Sequence, residues 1–138
     1  MREKKMVSTL FAVCLGVLAA PTLAHHGTNI SYDRTTTVTM KGVVTDFWYR
    51  NPHPALFLDV TGEDGKATRW TIEIAPTPYT LALRGWSKKR SDDALKPGTS
   101  VTVKLYAARA GTPVGLLQGI TNEAGEAIFG EDAGAAGQ

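Results

Sequence analysis

Three histidines are present in this chain, and their positions are uneven: His25 and His26 are adjacent, while His53 stands between prolines in Asn51-Pro52-His53-Pro54. Thr22-Leu23-Ala24, just before the pair, supplies the small residues that a signal peptidase reads. A cut after Ala24 makes His25 the first residue. An N-terminal histidine chelates through its own amine and its Nδ1, closing a ring around one metal ion. A second imidazole, from His26 or His53, completes a three-nitrogen planar set of the kind Cu(II) favours. Alternatively His26, in the second position, works with the terminal amine and a deprotonated amide. Reference values of about 7.7–8.0 for a terminal amine and about 6.5 for imidazole let both release their protons near neutral pH. These residue types point to a transition metal, copper first, with His25, His26 and His53 as its ligands.

Other residues carry weaker chemistry. Met40 can offer a thioether, but its alternating surroundings read as core. Asp46, Asp59 and Glu73 are separated acids that form no catalytic pair by spacing. Glu73 reads as a solvated strand-face charge, with support of a histidine as its alternative role. Trp48 and Tyr49, beside the proline turn, can present an aromatic face to a ligand, whereas Trp70 and Trp86 read as core. No serine sits in an elbow motif, and no histidine is spaced to pair with an acid. The expectation is therefore a binding module and not an enzyme, acting in storage, delivery or sensing. The alternative is a metal-free interaction module for a peptide, an envelope protein or a small ligand.

The segment that precedes the histidine pair fixes the expected compartment. Arg2, Lys4 and Lys5 form a basic start, residues 6–20 an apolar run, and Pro21 ends it. That run is shorter than the about 20 residues a spanning helix needs, so residues 1–24 are expected to be a cleavable signal peptide. Cys14 lies inside the apolar run rather than at its end, which argues against a lipoprotein; it is also the single cysteine, so the exported chain holds no thiolate. Removing 24 of 138 residues leaves 114, enough for one core. The removed segment holds three of the 15 basic and one of the 13 acidic residues, leaving twelve of each. A neutral chain is a poor partner for nucleic acid, and no second apolar run follows to span a membrane. The expected setting is the periplasm, in soluble form.

Elements that position the histidines follow from periodicity. Residues 25–34 form a polar leader containing Tyr32. Residues 35–50 alternate as one long strand with Gly42 a natural place for a bulge, until Pro52 and Pro54 break the ladder. Residues 55–61 and 67–74 form a hairpin across Asp64-Gly65. Thr77, Pro78 and Gly85 cap, start and end a short helix over residues 78–84. Residues 88–96 read as a polar connection, and strands follow at 100–107 and 114–121. Residues 126–129 can add a short edge, and 130–138 read as a disordered tail. Three strands, a helix, then two strands predict a mainly β, OB-like five-stranded barrel over residues 35–129, with one short helix between strands three and four.

The assembled motifs resemble an uncharacterised bacterial exported family, domain-of-unknown-function family 6152. The residues that carry the resemblance are Ala24-His25-His26, Thr37-Val38 through Gly42 to Val44, and Asn51-Pro52-His53. Trp70 to Glu73, Arg84-Gly85-Trp86 and Leu95 to Gly98 complete it. Gly27 and Pro54 depart from the family pattern, which tends to have serine at both places. The resemblance implies export and a β-rich domain, and it brings no activity with it.

Overall fold

A computed structural model describes residues 31–129. Five strands, β1 (Val38–Trp48), β2 (Ala55–Thr61), β3 (Ala67–Glu73), β4 (Ser100–Ala107) and β5 (Val114–Asn122), close into a barrel in the order β1-β2-β3-β5-β4. Neighbours are antiparallel except at the β3–β5 seam, where Thr71, Ile72 and Glu73 run parallel to Val114, Gly115 and Leu116. The mainly β, OB-like barrel expected from the sequence is the observed fold. Its helical insertion between β3 and β4 has two helices, α1 (Pro78–Leu83) and α2 (Lys88–Ala94).

The second helix corrects the polar connection expected over residues 88–96. Ser87 accepts from the Arg90 amide as N-cap. Lys88 then pairs with Asp92, and Lys89 with Asp93 at 2.6 Å, each four residues on. Such a helix buries almost no apolar stripe, so its sequence carries little hydrophobic period.

The barrel interior is filled from alternating positions: Leu56 and Leu58 on β2, Ile72 on β3, Val101, Val103 and Leu105 on β4. Each is buried, and each full burial stabilises by roughly 1.5–3 kcal/mol. Leu81 from α1 and Phe129 from the last described turn join the same core. Residues 126–129 contribute a single bridge, Ala127 with Thr121, and two core side chains, Ile128 and Phe129.

The bulge of β1 falls at Thr45, between Val44 and Asp46, and not at Gly42. One extra residue reverses which face each later side chain takes. Phe47 therefore packs against the core, and Trp48 points outward at 38% exposure. Gly42 serves close packing instead: a Cβ there would stand 3.0 Å from the Asp59 carbonyl oxygen.

Candidate functional site

The leader is fastened to the barrel where its last residues are described. Tyr32 bridges Ala108, the Asp33 amide donates to the Ala107 carbonyl at 2.8 Å, and the Arg109 amide donates to the Ser31 carbonyl at 2.9 Å. The Arg109 side chain adds a bond from Nε to the Tyr32 carbonyl at 3.1 Å. This short ladder turns the Tyr32 ring inward, where it is 5% exposed. Its hydroxyl donates to Glu73 Oε2 at 2.8 Å across 41 residues of sequence. Burial, then the hydrogen bond to Glu73 and its negative charge, push the Tyr32 phenol well above its ordinary range.

Glu73 ends β3 and lies opposite Ala55, the first residue of β2, two positions after His53. The Ile74 amide donates to the Pro54 carbonyl at 3.0 Å, which holds the proline turn against the end of β3. Glu73 Oε1 and His53 Nε2 face each other at 3.9 Å, with side chains 28% and 37% exposed. That gap is longer than a hydrogen bond. His53 Nδ1 is buried and has no hydrogen-bond partner among the described residues. A histidine that served only to tie its turn would have spent that nitrogen on a backbone carbonyl, and this one has not. The peptide bond between Asn51 and Pro52 is cis.

Of the three histidines singled out from sequence, His53 is thus placed at the rim of the barrel beside Glu73. His25 and His26 lie outside the described residues. Among the described residues, no group of three or more His, Cys, Asp or Glu is arranged to hold a metal ion. The sequence reading missed Tyr32 as an anchor and ranked Glu73 as a solvated charge. Only the strand register brings these two together with His53. Met40 packs, half-buried, against the core, as expected.

The aromatic face fares differently. Tyr49 is a fastener and not a free ligand-binding ring. Its hydroxyl shares its one proton between the Pro78 and Trp86 carbonyls, at 2.7 and 2.9 Å, tying the end of β1 to the start of α1 and to the turn that follows it. Trp48 is exposed, but the Arg50 guanidinium covers its ring at 3.7 Å and Phe57 meets it edge-on at 4.5 Å. Trp70 and Trp86 pack against the core. An open groove of about 580 Å³ runs elsewhere on the barrel, lined by Thr37, Thr39, Thr102, Lys104, Tyr106 and Gln118 among others, with no histidine or carboxylate.

A small closed β-barrel with a His–Glu–Tyr cluster at one rim is the class this fold and site define. The sequence pattern of a family of unknown function, DUF6152, matches residues 13–118, and the chain belongs to that family. The match spans the histidine pair as well as His53, Tyr32 and Glu73. No curated protein matches the chain. Among the described residues, no helix is long and apolar enough to cross a membrane.

Proposed function

We propose that this protein is an exported, periplasmic binding module that holds a transition metal, Cu(II) first, through the terminal amine, His25, His26 and His53. The observation that carries the reading is the Tyr32–Glu73 hydrogen bond. It pegs the leader directly beside the carboxylate that faces His53. From Tyr32 back to His26 is six residues, which span at most about 20–22 Å. The pegged leader therefore has ample length to bring the pair to His53. His53 itself has two features that suit a ligand: it is partly exposed, and its Nε2 is turned toward the Glu73 carboxylate. The role is storage, delivery or sensing rather than turnover.

The test begins with the intact mass of the exported protein, which locates its first residue. That material is then titrated with Cu(II) and Zn(II), beside a version carrying one extra N-terminal methionine. The processed protein is expected to bind one Cu(II). The extension is expected to weaken binding by at least the about 10–100-fold that loss of an outer-shell partner costs. Equal affinity of the two, or a first residue other than His25, refutes the terminal chelate.

A further inference from the structure

We propose that the open groove across β1, β4 and β5 is a binding site for an acidic sugar, a short oligosaccharide that carries a carboxylate. It shares no residue with the metal reading above and does not rest on it. Strand register builds the groove. Thr39 lies opposite Lys104, and Lys104 opposite Gly119, so one row crosses three strands on the outer face of the barrel. Thr102 and Thr121 form the neighbouring pair. Gly119 alone in that row has no side chain, and the hollow lies over it. Beyond β5 the chain folds back, bridging Thr121 to Ala127, and Gly125 and Ala127 wall the far side. The volume of about 580 Å³ falls within the about 300–1,000 Å³ of small-molecule sites.

The glycine is the first argument. A glycine inside a strand marks a bulge, a bend, or the close approach of another backbone or a ligand. A Cβ on Gly119 would meet nothing within 4 Å, so no other part of the described chain requires its absence. Gly115 differs, since a Cβ there would press on Leu105. The extra residue of the β5 bulge is Gln118, and Gly119 is not among the glycines with positive φ, so the bulge does not require it either. What the missing side chain keeps open is space for something outside the chain.

The second argument is the chemistry left unspent there. Of the six lysines among the described residues, Lys41, Lys66, Lys88, Lys89 and Lys96 each pair with a carboxylate. Lys104 pairs with none of the described residues, and no carboxylate lines the groove. The hydroxyls of Thr39, Thr102, Thr121 and Tyr106 make no hydrogen bond among the described residues either. Gln118 spends one hydrogen on the Leu117 carbonyl at 3.1 Å and keeps its amide oxygen. Hydroxyls and a carboxamide both donate and accept, which matches the hydroxyls of a sugar, while an ammonium only donates and matches an anion. A single cation suits one carboxylate and not a polyphosphate backbone, which is held by many.

The experiment follows the backbone amides of the full exported chain by nuclear magnetic resonance. The probes are the trimer of galacturonic acid, the same trimer with its carboxyls reduced to alcohols, and a glutamate tripeptide. The acidic trimer is expected to move the amides of Thr39, Lys104, Gly119 and Thr121 and to bind about tenfold more tightly than the reduced one. Lys104→Gln should erase that preference. Gly119→Val, which fills the hollow, should weaken both trimers by about tenfold or more at an unchanged melting temperature. If Gly119→Val does not fold, the exposed substitution Lys104→Gln decides. An acidic trimer that leaves these amides unmoved at millimolar concentration overturns the proposal, as do variants that bind like the wild type. A glutamate tripeptide that binds the groove as tightly as the acidic trimer overturns the sugar and assigns the site to acidic peptides.

Discussion

Replacing Tyr32 by phenylalanine removes one oxygen and keeps the ring, so it isolates the bond that pegs the leader. A hydrogen bond to a charged group contributes about 1.5–3 kcal/mol. Glu73 is 28% exposed and water replaces part of what the hydroxyl supplied, which brings the expected loss down to about 1–2 kcal/mol. A domain of this size shifts its melting temperature by about 4–8 °C per kcal/mol, so the drop lies at about 5–15 °C. The same energy should loosen the ladder that Tyr32 anchors. The Asp33 and Arg109 amides, which bond to Ala107 and Ser31, should exchange with solvent about 5–30 times faster. Thermal unfolding followed by circular dichroism gives the first quantity, and residue-resolved hydrogen exchange gives the second. Tyr79→Phe is the control, because Tyr79 is 72% exposed and should change neither. A Tyr32→Phe protein that melts with the wild type and keeps both amides equally protected refutes the hydroxyl's part in the peg and leaves the leader held by the backbone ladder alone.

Two further outcomes follow from the same geometry. Gly115→Ala places a Cβ at 2.8 Å and 3.0 Å from the two terminal carbons of Leu105, a fully buried residue of β4, at the short parallel seam that closes the barrel. The overpacking should destabilise by about 1–3 kcal/mol in urea unfolding, and Leu105→Val in the same chain should recover part of it. At high pH the sign follows from Tyr32, whose phenol is raised in the folded state. The folded chain keeps a proton that the unfolded chain releases near its ordinary value of 10. From about pH 10 upward the folded form binds more protons, and stability falls as pH rises. Urea midpoints between pH 8 and 11.5 should show that decline, and Tyr32→Phe should make it shallower; an equal slope in the two proteins would contradict the assignment.

The barrel was legible because its signals are local. Alternating Leu56, Leu58 and Val60, the Asp64-Gly65 turn and the Thr77-Pro78 start each name their element within a few residues. The second helix was not legible, since lysine–aspartate pairs hold it and no apolar stripe marks it. The outward turn of Trp48 was hidden for a different reason. One bulged residue at Thr45 reverses the faces of everything after it, and the sequence offered the glycine three positions earlier as the more natural place. The site shows the same division. His53 was recognisable by type and by its prolines. Its relation to Glu73 depends on the pairing of Ala55 with Glu73, and the role of Tyr32 depends on a bridge to Ala108. Both are contacts between residues far apart in sequence, which composition and periodicity do not encode.

The peg also answers why a barrel should serve a chelate whose first donors sit at a chain end. An amine and two neighbouring imidazoles bind copper in a short peptide with no fold at all. The fold adds a third imidazole, held beside the Glu73 carboxylate, together with a nearby attachment point for the chain that carries the others. Attachment turns the meeting of leader and His53 into an intramolecular event with its own effective concentration. Length matters little to that term, since doubling a connecting segment costs only about 0.6 kcal/mol. The place of attachment matters more. Were the ladder at residues 107–109 undone as well, the connection would begin at β1, whose first residue Val38 pairs with Leu105 and not with the strand ends that carry His53 and Glu73. On the proposed reading, the ladder to residues 107–109 and the buried tyrosine hydroxyl together couple an export-generated chain end to a site built by strand register.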